Sequence, residues 1–457
     1  MDIMLILQII VLFGGIYLGV KLGGMGVGYA GGLGVVILAL LGMKVDMKDI
    51  PMDVILIIAS VISAITALQV AGGLDYLVQV ATKILRKNPK QINFLAPIVT
   101  YFLTILAGTG HTAFSMIPVI VEVAKTQNIK PSAPLALSVV SSQVAITASP
   151  ISAAFVAMSG LCEKLGVSYP VLLFICISTT FVAMVITAFI INKFYDLDLS
   201  KDPIYQERLA KGLVAEVKDV EYHEPKPYAK RSVAIFAVGV LIVVCYALCI
   251  SKSLNLVEKP ILSRDAAIIS FMLTIGFTIA VACKVETGKL LSTSTFQSGM
   301  NACICVVGIA WLGTTFVNGH LDAIKEVAKD FVTQYPFILA VALYFLSCLL
   351  YSQAATTKVM MPAVAAALGM TSPENSGQIW ILVASFAAVS GLFVLPTYPT
   401  TLGAIAMDDT GTTRVGKFVF NHSFFIPGTI MVAFEVNLSH LDRILGLSSL
   451  VLSRLLF

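Results

Sequence analysis

Leu106-Ala107-Gly108-Thr109-Gly110-His111-Thr112 interrupts a run from Gln91 to Val121 that contains no Asp, Glu, Lys or Arg. That run is too long for one crossing, because a bilayer core takes about 20 apolar helical residues. Gly-Thr-Gly in mid-run supplies backbone freedom and a hydroxyl where a spanning helix wants neither. The stretch therefore predicts a helix that enters, stops at depth and turns back. Irregular backbone at that depth survives only where protein or a water-filled cavity satisfies its N–H and C=O groups, so a cavity in mid-membrane is implied.

Composition supports this frame across the chain. With 457 residues, 58% hydrophobic and 12% charged, and a mean hydropathy of +0.92, the sequence predicts an all-α polytopic membrane protein. The net charge of +4 is small, and the basic residues fall in short loops, which points to membrane orientation and not to nucleic-acid binding. The eight Cys lie mostly inside apolar runs without metal-ligand spacing and are read as packing residues. No nucleophile–base pair or metalloenzyme spacing is found, which argues against an enzyme. The first apolar run lacks a basic flank and a small-residue cleavage site, so it is read as a retained span.

In chain order the first half offers spans near 3–20, 25–43 and 53–71. Residues 72–87 follow, with apolar residues at 74, 77, 78, 81, 84 and 85, the spacing of an amphipathic helix lying at the interface. The broken run 91–121 comes next. A second uncharged run, Pro131 to Cys162, is itself interrupted at Thr147-Ala148-Ser149-Pro150-Ile151-Ser152, and a span near 168–192 closes the half. From Tyr195 to Arg231 mixed charge crowds one hydrophilic stretch, read as a cytoplasmic surface linker between two membrane halves. The division expected is 1–194, linker 195–231, second half 232–437, and a tail 438–457 that forms an interfacial helix or none.

The second half echoes the first. Asp75 and Asp322 open matching amphipathic segments 247 positions apart; Pro118 and Pro362 stand 244 apart, Pro150 and Pro396 246 apart. Uncharged runs at Phe331–Thr357 and Asn375–Met407 are broken at Ser352-Gln353-Ala354-Ala355-Thr356-Thr357-Lys358 and at Pro396-Thr397-Tyr398-Pro399-Thr400-Thr401. Two copies of one membrane unit follow. Lys83, Arg86, Lys87 and Lys90 put the first amphipathic segment on the cytoplasmic side, while its echo carries only Lys325 and Lys329 among acids. Inverted repeats built of re-entrant hairpins and broken helices are the expectation, with both termini outside.

Inverted copies bring four discontinuities toward the midplane. Each exposes helix ends whose free N–H groups favour anions. The candidate substrate-binding residues are Gly108, Thr109, Gly110, His111 and Thr112; Thr147, Ser149 and Ser152; Ser352, Gln353, Thr356 and Lys358; and Thr397, Tyr398 and Thr400. Such a donor-rich site suits a small polar anion with a carboxylate at each end. Lys358, a cation in an uncharged run, is a functional candidate by default, although a lysine also snorkels. Ser and Thr in apolar helices commonly bond their own backbone, and Glu122, Asp408, Asp409 and Glu435 are read as helix-end markers. Coupling to sodium or protons stays open, with His111 and the break carbonyls suited to either.

Longer strings carry a resemblance. Gly-Gly-Leu-Asp-Tyr-Leu (72–77), Leu-Arg-Lys-Asn-Pro-Lys (85–90), Ile-Thr-Ala-Ser-Pro-Ile-Ser-Ala-Ala (146–154), Leu-Pro-Thr-Tyr-Pro-Thr (395–400) and Asp-Asp-Thr-Gly-Thr-Thr-Arg-Val-Gly-Lys-Phe-Val-Phe-Asn-His (408–422) resemble the anaerobic four-carbon dicarboxylate transporters, the DcuA/DcuB family of bacterial inner membranes. The resemblance implies exchange or uptake of fumarate, malate, aspartate and succinate, typically fumarate against succinate. It also implies no cofactor and the architecture of the wider ion-transporter superfamily, whose members resemble two-domain elevator carriers and are often homodimers. An anion-selective channel, or a carrier of another small polar anion, is the competing expectation.

Overall fold

The computed structural model describes residues 3–22, 25–50, 52–110, 113–214, 226–250, 256–257, 259–320, 335, 337–350, 352–370, 378–396, 398–418 and 420–445. Among them the chain is helical, with two isolated β-bridges, Ile129 to Asp198 and Val415 to His422, and no strand. The first half contains α1 (Ile3–Leu22), α2 (Gly26–Leu40), α3 (Met52–Val70), α4 (Gly73–Lys87), α5 (Ile92–Ala107), α6 (Ala113–Thr126), α7 (Ser132–Thr147), α8 (Ala153–Lys164) and α9 (Tyr169–Phe194). A short α10 (Pro203–Ala210) follows, then α11 (Ala229–Cys249), α12 (Arg264–Ala282), α13 (Ser294–Cys305), a π-helical turn at Val306–Ala310 and α14 (Trp311–Gly319). The second half ends with α15 (Phe337–Leu350), α16 (Gln353–Ala367), α17 (Ile379–Ser385) continued by 3-10 helix over Phe386–Phe393, α18 (Pro399–Met407) and α19 (Phe425–Leu445).

Among the described residues four helices are long and apolar enough to cross a bilayer: Pro89–Ala107, Tyr169–Phe194, Ala229–Cys249 and Asp265–Ala282. The protein is a multi-pass membrane protein. α3 and α4 form a bent pair at 73°, and the turn needs Gly72, whose φ of +85° is open to glycine and strained for other residues. α4 is amphipathic as its spacing predicts, burying Ala81 and Leu85 while Ile84 stays exposed. Its last-turn Arg86 pairs with Glu122 at the end of α6, 2.7 Å away. The matching helix expected near 321–331 lies outside the described residues.

Three apolar cores organise the described residues. The largest draws on both halves, joining α5–α9 to α15–α19. A second joins α3, α11 and α12, with Ala107, Ile151 and Val156 packed into it from the ends of α5 and α8. A third joins α1 and α2 to α14. In that third region helices meet backbone to backbone: a Cβ on Gly308 would lie 1.9 Å from the Gly28 carbonyl oxygen. The π-helical turn carries Gly308 into that contact.

Residues 195–214 of the hydrophilic linker pack on other parts of the chain. Asp202 is buried and accepts from the backbone N–H groups of Ile204 and Tyr205, capping α10. Arg208 on that helix donates through Nε to the Asp409 carbonyl at 2.8 Å. The segment read from composition as a surface linker therefore begins by docking on the loop after α18, because its charged groups find partners there. Residues 438–445, read as the start of a tail, continue α19.

Candidate binding site at the helix breaks

All four interruptions expected from sequence appear as ends of helices. α5 stops where Gly108 takes φ +65°, its N–H held by the Thr104 carbonyl at 2.8 Å. The next break, residues 148–152, separates α7 from α8; there Ser152 caps α8 by accepting from the Phe155 N–H at 3.1 Å. In the second half Ser352 caps α16 by accepting from the Ala355 N–H. The fourth break parts Phe393 from Pro399, with Tyr398 at the N-cap of α18 and Pro399 in the first turn, where its missing N–H has no helical role.

The arms of these breaks are exchanged between halves. α6, after the first break, packs on α18, after the fourth; α8, after the second, packs on α16, after the third. At the centre α7 lies against Phe386–Phe393, and both are buried along almost their whole length. The crossing is held by amides and hydroxyls. Gln353 Nε2 donates to the Gln143 backbone carbonyl at 2.6 Å and to Ser390 Oγ at 3.3 Å. Gln143 Nε2 in turn donates to Thr400 Oγ1 at 3.2 Å. A Cβ on Gly110 would stand 3.1 Å from that same Nε2. Gly110 of the first break, Gln353 of the third and Thr400 just beyond the fourth thus meet around Gln143.

The second break joins the first along a different edge. Ser149 Oγ donates to the Ile105 carbonyl at 2.8 Å, and a Cβ on Gly108 would touch Ile151 at 3.0 Å. Thr147 donates to the Val144 carbonyl at 2.7 Å and stands 3.5 Å from Glu435 Oε1. Ser152 Oγ also donates to the Ile146 carbonyl, and Thr356 Oγ1 to the Ser352 carbonyl at 2.8 Å. The hydroxyl protons of Thr147, Ser149, Ser152 and Thr356 are therefore committed to backbone carbonyls, the local bonding such residues favour in apolar helices. Thr109, half-buried, follows Gly108 directly; Lys358, also half-buried, lies on the second turn of α16. His111, Thr112 and Thr397 lie outside the described residues.

Two polar groups at the crossing escaped the sequence. Gln143 sits inside an unbroken helix, where only the polar run Ser141-Ser142-Gln143 hinted at it. Glu435 was read as a helix-end marker, yet it lies in the middle of α19 with 2% exposure and one carboxylate oxygen without a partner. The apolar residues around it on α19 hid this, since a boundary was the cheaper interpretation of a lone acid in such a run. At the far end of the exchanged arms Lys125 pairs with Asp409 at 2.8 Å, tying α6 to the loop after α18. Asp408 is consumed locally, accepting from Thr412 Oγ1 and from the N–H groups of Thr410 and Thr413.

Residues 4–445 match the family model described as anaerobic C4-dicarboxylate membrane transporter. The chain belongs to this family. Among its relatives in that family is a C4-dicarboxylate transporter DcuA of Helicobacter pylori strain J99, 58% identical over 431 residues, covering 94% of this chain and 97% of the relative. The DcuA of Escherichia coli strain K12 is 53% identical over 433 residues, 95% and 98% of the two chains. The anaerobic C4-dicarboxylate transporter DcuB of Escherichia coli O6:H1 is 34% identical over 440 residues, 93% and 96%. These are transporters and not enzymes, in keeping with the lack of catalytic spacing in the sequence, and this chain is a transporter like them.

Proposed function

We propose that the protein carries four-carbon dicarboxylates, among them fumarate, malate, aspartate and succinate, across the bacterial inner membrane by exchange, fumarate entering as succinate leaves. The observation that carries this reading is the meeting of breaks from both halves around Gln143, with Gln353 Nε2 at 2.6 Å from its carbonyl and Thr400 Oγ1 at 3.2 Å from its amide nitrogen. Broken helices that pool their ends at one place are the usual construction of a carrier site. In this reading the two halves are inverted copies, and the body built from α5–α9 and α15–α19 shifts as a unit against α1–α3 and α11–α14. Most of its buried residues fall in one apolar core and most of those of α1–α3 and α11–α14 in the other two, which supports that division.

Exchange follows from charge. In this reading helix ends leave the empty site with positive potential, which is costly to carry through a low-dielectric bilayer. A bound dianion cancels that field and lowers the barrier, so loaded carriers reorient more readily than empty ones. Proteoliposomes loaded with labelled succinate test this. External fumarate accelerates efflux in a carrier of this kind, whereas a channel conducts without counter-substrate, and efflux indifferent to external fumarate removes the exchange mechanism. Lys358→Ala then either abolishes dicarboxylate binding or relaxes the need for counter-substrate; unchanged affinity and unchanged counterflow exclude Lys358 from the mechanism.

A further inference from the structure

Gln143 does more than join the two halves. Its side chain has 0% exposure, its Nε2 is engaged by Thr400, and its Oε1 has no hydrogen-bond partner. A buried amide oxygen left unpaired is a costly exception that calls for a ligand or a function. The oxygen belongs to the residue at which Gly110, Gln353 and Thr400 converge, and a Cβ on Gly110 would press on the amide head at 3.1 Å. An amide oxygen accepts hydrogen bonds and donates none, so it has nothing to offer a carboxylate. It does complement a donor carried between two carboxylates.

We propose that Gln143 Oε1 accepts a hydrogen bond from the substituent on the second carbon of the substrate, an ammonium or a hydroxyl, and so sets the preference for substituted over unsubstituted four-carbon diacids. This rests on the dicarboxylate reading given above. The physical basis is the asymmetry of buried polar recognition: a site built around a hydrogen bond strongly disfavours the analogue that cannot form it, because the site's own group is then left unpaired. An α-ammonium gives the strongest bond, being charged. A hydroxyl gives a weaker one, and fumarate and succinate give none.

The test is counterflow by the full-length protein in proteoliposomes, with apparent KM values for aspartate, malate, fumarate and succinate. Gln143→Met keeps the length of the side chain and removes the acceptor; Gln143→Glu keeps the acceptor and adds charge. The expected result for Gln143→Met is an aspartate-to-fumarate KM ratio raised by about 10-fold or more, with malate intermediate. Gln143→Glu lowers that ratio, since a carboxylate repels the diacids and attracts the ammonium. A purely structural role moves all four substrates together. A uniform loss, which an amide donating to a carboxylate also produces, or a ratio unchanged in both variants, overturns the proposal. Where a variant supports no exchange, thermal stabilisation of the detergent-purified protein by aspartate and by fumarate reads the same preference, and an unchanged preference there overturns it as well. Failure of the dicarboxylate reading is distinct: the wild-type protein then exchanges none of the four acids.

Discussion

Breaking the Lys125–Asp409 pair tests whether the arms of the two halves are exchanged as described. Lys125 ends α6 and Asp409 follows α18, with Nζ 2.8 Å from Oδ2 and 3.1 Å from Oδ1. The side chains are only 10% and 25% exposed, so the pair is screened less than a surface bridge. At that separation the Coulomb attraction is about 6 kcal/mol for an effective dielectric constant of ~20. Desolvation of both ions and the ordering of a long lysine side chain offset most of it, which leaves a net coupling of about 1–2 kcal/mol. Lys125→Ala, Asp409→Ala and the double variant form a cycle, read by SDS- or heat-induced unfolding of the purified protein. Each single variant loses stability, and the double loses less than their sum by that coupling. Contacting residues show such non-additivity, whereas distant ones add to within about 0.3–0.5 kcal/mol. Simple additivity here means that the ends of α6 and α18 do not meet and that the arms are not crossed.

Further outcomes follow from other contacts. Gly308→Ala places a carbon 1.9 Å from the Gly28 carbonyl oxygen, where even close C–H···O contacts need about 3.3–3.6 Å; α2 has to retreat by more than an ångström at a cost of about 1–3 kcal/mol. A lowered unfolding temperature of the detergent-purified variant checks this, and unchanged stability contradicts the backbone contact. Asp408→Asn removes one of the two carboxylate oxygens that together accept from four donors, the N–H groups of Thr410 and Thr413 and the hydroxyls of Thr410 and Thr412, in a residue 3% exposed. Loss of about 1.5–3 kcal/mol, with faster proteolysis in the 408–424 loop, is expected, and a wild-type digestion rate excludes the capping role.

The helix ends were legible because their cause is local. A glycine that must take φ +65°, a serine that caps, and a proline in a first turn each leave a mark within a few residues, so the interruptions at 108–112, 147–152, 352–358 and 396–401 were found where helices end. The apolar face of α4 was legible by the same logic of spacing. What the chain concealed is long-range. No periodicity tells that α6 lies on α18 or α8 on α16, because each contact spans hundreds of residues. Gln143 was hidden for a related reason: an amide inside an intact helix is indistinguishable from a solvated one until its neighbours are known, and those neighbours come from three of the breaks. The contacts of the linker were concealed for a similar reason, since mixed charge signals a surface, and the ion pairs of Lys130 and Arg414 with Asp202 that fasten its start use that same charge.

The convergence of both halves on one pocket is tested most directly by the fumarate dependence of succinate exchange in Gly110→Ala and Gln353→Met, measured side by side. The first crowds the Gln143 amide from one half of the chain, and the second deletes two hydrogen bonds from the other. A shared site predicts that each raises the apparent KM for fumarate by about 5-fold or more in the fraction of protein that stays folded, with a lowered unfolding temperature expected for Gln353→Met because two buried hydrogen bonds are lost. A KM unchanged in either variant contradicts a pocket made jointly by the two halves.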